Sequence, residues 1–289
     1  MTYKLDLEQI TILLSRMAEA LERIAPSYQF PDNLEKAEGF IWEAQLRKLQ
    51  TIEEIERLPL SCLQGIEPQK RELLENSRAF ARGLKANNAL LWGARGTGKS
   101  SLLKAVHGQL LSEGLDCAIV EVQREDIQDL PHIMQVLKHS NRRFILFCDD
   151  LAFEEADSSY KSLKAVLEGG LSGRPDNIVF YATSNRRHLM PRQMIDNERG
   201  SAINPSEAIE EKISLSDRFG LWIGFHSVDQ DTYLSMIESY VGFYELPVDL
   251  EQTKSQALTW CMGRGHRSGR TAYQFIIHLA GTLGITLKK

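Results

Sequence analysis

The stretch Gly93-Ala94-Arg95-Gly96-Thr97-Gly98-Lys99-Ser100 fits the pattern G-x-x-x-x-G-K-[ST] of a phosphate-binding loop. Residues 89–92 before it form an apolar run typical of a buried parallel strand, and residues 101–106 after it carry apolar side chains at helical spacing. A strand, a glycine-rich loop and a helix in this order are the context that such a loop requires. A glycine-rich turn that matches by chance would not need this context.

The residue types of this loop suit the binding of a nucleotide phosphate. Glycines allow backbone N–H groups to close around an anion at the start of a helix, where the helix dipole favours negative charge. Lys99 is predicted to reach the β- and γ-phosphates, and the hydroxyl of Ser100 is predicted to bind Mg²⁺. We therefore expect the whole loop, residues 93–100, to contact the cofactor.

A second motif, a pair of acidic residues, follows another apolar run. Residues 144–148 predict a buried strand, and Asp149 and Asp150 come directly after it. This is the Walker B arrangement, in which Asp149 would hold Mg²⁺ through its water shell and Asp150 would orient or deprotonate the attacking water. The alternative is a strand that ends in acidic turn residues.

Three further polar residues are candidates for the same site. Asn185 follows the predicted strand 178–183, and the carboxyl ends of parallel strands face the ligand crevice. Alternatively, Thr183, Ser184 and Asn185 cap the next helix. Arg218 and Arg270 could supply the positive charge that phosphoryl transfer needs, although each could also be a surface residue or part of a structural ion pair.

The order of elements along the chain predicts three zones. Residues 1–60 are predicted to be a helical appendage, with apolar positions from Ile10 to Ile24 and a second helical stretch from Phe40 to Leu49. This appendage could pack on the core as a brace or dock a partner. Residues 61–228 alternate strands and helices and predict a five-stranded parallel sheet with helices on both faces. Residues 229–289 predict a small helical domain that begins at the capping residue Asp229.

The composition is that of an ordinary soluble globular protein. The chain has 289 residues, 43% hydrophobic and 25% charged, and a formal net charge of −5. This balance argues against a broad nucleic-acid surface, and no apolar run reaches the roughly 18 residues of a transmembrane helix. The N-terminus lacks a signal-peptide pattern, and the four cysteines lack C-x-x-C spacing. We therefore expect a cytoplasmic protein with reduced core cysteines and no membrane association.

Together these motifs resemble those of the AAA+ ATPases, from about residue 61 to the end of the chain. The resemblance implies a P-loop fold of AAA+ type, with ATP or ADP and Mg²⁺ as cofactors. It makes Asn185 the sensor 1 residue, Arg218 an arginine finger and Arg270 the sensor 2 residue in a helical lid. Under this interpretation the catalytic candidates are Asp150, Asn185, Arg218 and Arg270.

The resemblance to the AAA+ ATPases also includes the segment that would contact the adenine base. Residues 63–69 look like the AAA+ segment that lies against adenine, which makes Gly65 and Ile66 cofactor-binding candidates. The nearest resemblance is to a bacterial AAA+ family, domain of unknown function 815. It is carried by residues 90–101, which include Ser101, and by the strings 144–151, 181–189, 211–221 and 267–271.

Two functions follow from this resemblance. The first is an oligomeric ATPase in which Arg218 reaches the nucleotide of a neighbouring subunit and nucleotide state controls self-assembly or the remodelling of a protein partner. The second is an ATP/ADP-binding switch or loader-like adaptor with little hydrolysis. It is motivated by Asp150, which stands where many AAA+ members have the longer glutamate.

Other substrate classes receive less support from the residues. The segment 121–127 has no aromatic residue of the kind that threading unfoldases use, and Tyr240 in the string 240–242 falls within a helical stripe. The pairs Arg142-Arg143 and Arg186-Arg187 are small basic spots of the kind that is usually solvated surface. No His or Cys spacing predicts a zinc site.

Overall fold

A computed structural model describes residues 7–24, 34–153, 159–169, 173–187, 189 and 217–287. Its strands form one sheet in the order β2-β1-β4-β5-β6-β3-β7. β2 is antiparallel to β1, whereas every other neighbouring pair is parallel. The strands are β1 (Gly39–Glu43), β2 (Lys48–Ile52), β3 (Ala89–Gly93), β4 (Ala118–Glu121), β5 (Phe144–Cys148), β6 (Ile178–Ser184) and β7 (Leu221–Phe225).

The five predicted strands form the parallel part of the sheet, from β4 to β7. The prediction of only five strands is wrong, however, because the sheet has seven. The added strands β1 and β2 form a hairpin on the edge of β4, so the helical prediction for residues 40–49 is also wrong.

In residues 40–49, which were predicted to be helical, buried side chains alternate as they do in a β-strand. Phe40 and Trp42 are buried at alternate positions of β1, and Leu49 is buried on β2. Leu46, which completes the helical pattern in the sequence, is exposed in the turn 44–47 between the strands. This turn contains no Gly, Pro, Asn or Asp, so the usual hairpin signal is missing.

Helices cover both faces of the sheet. Leu73 of α2 and Leu102 of α3 belong to the core on one face, and Ile133 of α4 and Leu163 of α5 belong to the core on the other. The helices in the described residues are α1 (Leu7–Ile24), α2 (Glu67–Ala81), α3 (Lys99–Ser112), α4 (Leu130–Leu137), α5 (Tyr160–Glu168), α6 (Gln230–Phe243), α7 (Leu250–Met262) and α8 (Gly269–Leu283).

The two ends of the chain differ in their packing. In α1 the side chains of residues 10–20 are all exposed, so these residues do not brace the core. In contrast, α6, α7 and α8 enclose a third core around Tyr233 and Ile276. Asp229 caps α6 as predicted, because its carboxylate accepts the Thr232 N–H at 2.8 Å. Among the described residues, no helix is long and apolar enough to span a membrane.

Candidate functional site

The phosphate-binding loop joins β3 to α3 at the carboxyl edge of the sheet. Gly93, Gly96 and Gly98 have φ values of 144°, 76° and 95°, which side-chain-bearing residues rarely adopt. A Cβ at Gly93 would lie 2.0 Å from the carbonyl oxygen of Phe225, so glycine is also required for the contact with β7. The predicted strand–loop–helix context is therefore confirmed.

Lys99, the first residue of α3, folds its side chain back over the loop. Its Nζ donates to the carbonyl oxygens of Gly93 at 2.9 Å and Ala94 at 2.8 Å, and to Asn185 Oδ1 at 3.1 Å. Burial lowers the pKa of the ammonium group, and Asp149 and Asp150 oppose this effect. The side chain thus brings a positive charge to the loop and to the end of β6.

The two predicted magnesium ligands lie together. Ser100 Oγ donates to Asp149 Oδ1 at 2.6 Å, which brings the start of α3 to the end of β5. A hydroxyl and a carboxylate are oxygen donors, the type that Mg²⁺ prefers, and Mg²⁺ commonly uses only one or two protein ligands beside phosphate oxygens and water. This donor set therefore fits Mg²⁺. In the described residues, no cluster of three or more His, Cys, Asp or Glu side chains offers an all-protein metal site.

Thr183 is a site residue that the sequence analysis placed differently. Its Oγ1 donates to Asp149 Oδ1 at 2.5 Å and accepts the N–H of Asp150 at 2.9 Å. The hydroxyl therefore joins the two acidic residues. The signal that could have found it was the position of Thr183 at the end of a strand next to the one that carries the acids.

Asp150 and Asn185 meet at the mouth of the site. Asn185 Nδ2 donates to Asp150 Oδ1. Asp150 has a φ of 51°, which is uncommon for a non-glycine residue, and its side chain is 58% exposed. Arg95 Nη2 lies 3.9 Å from Asp150 Oδ2. The structure thus brings the predicted water-activating residue and the predicted sensor residue into direct contact.

The start of α8 packs against the phosphate-binding loop. The backbone N–H of Arg270, in the first turn of α8, donates to the carbonyl oxygen of Gly96 at 3.3 Å. A Cβ at Gly96 would lie 3.2 Å from the Cβ of Arg270 and 3.0 Å from Ser268 Oγ. Arg270 therefore lies beside the phosphate-binding loop of its own chain.

A cavity of about 780 Å³ lies between the sheet domain and these helices. The predicted site residues among its lining are Arg95, Gly96, Thr97, Gly98, Lys99, Ser100, Ser101, Asp149, Asp150, Asn185, Arg270 and Ile66. Gly93 and Ala94 contribute through the carbonyl oxygens that bind Lys99. Gly65 packs instead against Thr232 of α6, since a Cβ there would lie 2.3 Å from the threonine methyl.

Apolar and aromatic residues also line the cavity, and the sequence analysis did not assign them to the site. They come from segments far apart in sequence: Leu58, Leu63, Met236, Tyr240, Tyr244 and Tyr273. Tyr240 is 3% exposed and also belongs to the helical core, which agrees with the prediction that it packs there.

Among the four predicted catalytic residues, Arg218 is the one that does not line the cavity. It lies just before β7, at the amino edge of the sheet, opposite to the phosphate-binding loop. Its Nε donates to Glu168 Oε1 at 2.8 Å, at the end of α5. Arg218 is therefore not part of the cavity in its own chain.

The model of a family described as protein of unknown function (DUF815) matches residues 35–283. The chain belongs to this family. A probable mitochondrial chaperone BCS1-A from Dictyostelium discoideum is 26% identical over 206 residues. The match covers 62% of this chain and only 42% of that relative, so this chain spans less than half of the relative's length.

Solved structures share the fold at low sequence identity. The ORC2 protein of Aeropyrum pernix, solved as ADPNP–ADP complexes, has a TM-score of 0.54 and 11% identity, over 81% of this chain and 68% of that one. AMPPCP-bound DnaA from Aquifex aeolicus has a TM-score of 0.48 and 15% identity, over 76% of this chain and 64% of that one. The likeness to the first of these shows that this chain shares its fold.

Proposed function

We propose that this protein binds ATP or ADP with Mg²⁺ in the cavity and hydrolyses ATP. The observation that carries the proposal is the 2.6 Å bond between Ser100 and Asp149, because it joins the phosphate-binding loop to the acidic strand end at a donor set suited to Mg²⁺. Lys99 would bind the phosphates, and Mg²⁺ would neutralise charge on the transferred phosphoryl group.

The remaining residues would act on the γ-phosphate and its water. Asp150 would orient or deprotonate the attacking water, and Asn185, already bonded to Asp150, would position it. Arg270, beside the loop, would bind the phosphate from the helical domain. The apolar and aromatic residues of the cavity lining, such as Ile66 and Tyr273, would contact the base.

We further propose that the protein assembles into a homo-oligomer with nucleotide at the subunit interfaces. Arg218 lies at the sheet edge opposite its own cavity, so an arginine in this place could contact only the nucleotide of a neighbouring subunit. Nucleotide state would then be coupled to self-assembly or to the remodelling of a protein partner.

A second candidate function is a nucleotide-dependent switch with little hydrolysis of its own. The observation that favours it is the hydrogen bond from Asn185 to Asp150, which occupies a carboxylate oxygen that a base needs. The aspartate is also one methylene shorter than the glutamate that many AAA+ members carry.

The test compares the wild type with Lys99→Ala and with Lys85→Ala, a matched control at an exposed lysine outside the cavity. Affinity for a fluorescent ADP analogue, ATP turnover and light-scattering mass would be measured at several protein concentrations. Because hydrogen bonds to charged groups contribute roughly 1.5–3 kcal/mol, Lys99→Ala should weaken binding by about tenfold or more. Lys85→Ala should bind as the wild type does.

Each result separates the candidates. Turnover that rises with protein concentration and disappears in Lys99→Ala would support the self-assembling ATPase. Tight binding without turnover or assembly would support the switch. Binding that is equal in Lys99→Ala and Lys85→Ala would contradict both functions.

A further inference from the structure

Thr183 occupies a position at the end of β6 where its hydroxyl is enclosed by the protein. The residue is only 2% exposed. The strand register pairs Cys148 with Ala182, so the next residues, Asp149 and Thr183, are level with each other on adjacent strands. This register explains why the Thr183 hydroxyl reaches the carboxylate of Asp149.

Thr183 holds three consecutive residues after β5. Its hydroxyl donates to Asp149 Oδ1 at 2.5 Å and accepts the Asp150 N–H at 2.9 Å. Its carbonyl oxygen accepts the Leu151 N–H at 2.7 Å. The middle residue of the three, Asp150, has the left-handed φ of 51°, a conformation that persists only where surrounding contacts hold it.

The direction of these bonds determines how the Asp149 carboxylate is used. The hydroxyls of Ser100 and Thr183 both donate to its Oδ1. With Oδ1 engaged by two donors, Oδ2 is the oxygen that remains to accept a hydrogen bond from a metal-bound water. A carboxylate fixed in this way needs no reorientation when a metal ion and its water shell arrive.

The neighbouring Ser184 takes the local capping role. Its Oγ accepts the N–H of Arg186 at 3.2 Å, and residues 185–187 form a bend rather than the start of a helix. The Thr183 hydroxyl is committed to the two acidic residues instead. It is therefore not a capping hydroxyl of the kind that strand-to-helix turns use.

We propose that Thr183 is a positioning residue for the Mg²⁺–nucleotide complex. Its hydroxyl fixes the carboxylate of Asp149 toward the metal-bound water, and it anchors the peptide of Asp150, which carries the water-activating side chain. This inference rests on the proposed function, since it assigns a role within the same site. It goes beyond that function because it makes metal dependence a property of Thr183, which lines the cavity and acts through its hydrogen bonds to Asp149 and Asp150.

The test uses the full chain and the near-isosteric variant Thr183→Val, which replaces the hydroxyl with a methyl group. Thr183→Ser keeps the hydroxyl, and Thr183→Ala is a second variant without it, in case valine prevents folding. The matched control is Thr253→Val in α7, where an equally buried hydroxyl donates to the Asp249 carbonyl oxygen at 2.7 Å, outside the cavity lining.

The readout is the binding of a fluorescent ADP analogue, first with EDTA and then during a Mg²⁺ titration, beside a thermal unfolding curve. In Thr183→Val and Thr183→Ala we expect unchanged affinity without metal and a Mg²⁺ requirement about tenfold higher or more, the range found when residues behind metal ligands are removed. Thr183→Ser and Thr253→Val should match the wild type in both. A merely structural hydroxyl would change thermal stability without changing the Mg²⁺ requirement.

The possible failures are distinguishable. If the wild type shows Mg²⁺-dependent binding and Thr183→Val requires no more Mg²⁺ than Thr253→Val, the positioning role is wrong and the proposed function stands. If the wild type binds no nucleotide with or without Mg²⁺, the proposed function fails and this inference fails with it.

Discussion

The two edges of the central sheet both carry many polar side chains, but these side chains have different partners. At the carboxyl edge the polar side chains mostly bond to one another, as Ser100 does with Asp149 and Asn185 with Asp150. They border a cavity of about 780 Å³. Lys99 and Thr97 also bond to backbone carbonyl oxygens, which belong to the phosphate-binding loop itself.

At the amino edge the partners are mainly backbone groups from other segments. Arg142 is 5% exposed and donates to the carbonyl oxygens of Leu34 and Ala37 at 2.8 and 2.6 Å, as well as to Asp116. Asn177 Nδ2 donates to three carbonyl oxygens, those of Leu137, Ser140 and Arg142. These side chains join chain segments far apart in sequence.

This difference separates structural from functional polar residues. A side chain committed to buried backbone carbonyls cannot change partners without leaving those carbonyls unpaired, which costs about 1–3 kcal/mol for each group. Side chains that bond to one another beside a cavity can exchange a partner for a ligand at little cost. The amino edge therefore contributes to stability, and the carboxyl edge is suited to chemistry.

Arg218 is the largest challenge to this division, because it lies at the amino edge and is proposed to act in catalysis. If it contacts the nucleotide of a neighbouring subunit, Arg218→Ala should lower ATP turnover by about 10³-fold or more while nucleotide affinity is unchanged. Steady-state turnover and binding of the fluorescent analogue, both at a protein concentration where the wild type is assembled, would check this.

The matched control is Glu168→Gln, which removes one charged partner of Arg218 and keeps the arginine. Exposed or half-exposed ion pairs contribute about 1 kcal/mol or less, so this variant should be nearly as stable as the wild type and should keep its turnover. If both variants lower stability alike and neither lowers turnover, Arg218 belongs with the structural residues of the amino edge.

Arg142→Met is the next largest expected effect and tests the structural edge directly. The variant leaves two buried carbonyl oxygens without their donor and separates Asp116 from its partner. We expect a loss of about 4 kcal/mol in the free energy of unfolding, measured by urea denaturation, and no change in nucleotide affinity per folded molecule.

The contrasting variant Asp150→Asn, at an exposed side chain of the other edge, should lower turnover and leave stability unchanged. Equal losses of stability would contradict the division between the edges.

The nucleotide-side residues were predictable because their pattern is local. The loop 93–100 is contiguous, Asp149 and Asp150 directly follow an apolar run, and Asn185 comes three residues after another. Parallel strands bring their carboxyl ends to one edge, so Asp149 and Asn185 had to lie near the loop once the strands were placed. Thr183 was named only in an alternative, as a possible cap of the next helix, because a strand-end hydroxyl has several local uses.

Other features depended on contacts that no local sequence pattern indicates. The hairpin of β1 and β2 has a turn without the usual residues, and its apolar positions fit a helical period as well as an alternating one. Gly65 precedes Ile66, which lines the cavity, but Gly65 itself packs against Thr232 because α6 lies beside it. The apolar lining of the cavity likewise combines residues of α6 and α8 with residues before α2, which are far apart in sequence.

After the effects of Arg218→Ala and Arg142→Met, the smallest expected effect concerns His107, a buried residue near the amino edge. Its Nδ1 accepts from Arg57 Nη1 at 3.2 Å, and its Nε2 donates to the Cys117 carbonyl oxygen at 2.8 Å. Arg57 in turn pairs with Glu38. Burial lowers the pKa of His107 from 6.5 to about 4, because an added proton would be desolvated and would replace the acceptor that faces the guanidinium group.

The unfolded chain binds a proton at this histidine below about pH 6.5, whereas the folded protein resists protonation until about pH 4. Its contribution to stability is therefore complete above pH 6.5 and is lost progressively as the pH falls to about 4, by at most about 3 kcal/mol. Urea denaturation between pH 7.5 and about 4.5 would measure the slope. His107→Gln cannot titrate, so it should lose stability less steeply than the wild type over this interval, even if it is less stable at pH 7. Equal slopes would mean that protonation of His107 does not govern the acid sensitivity of this edge.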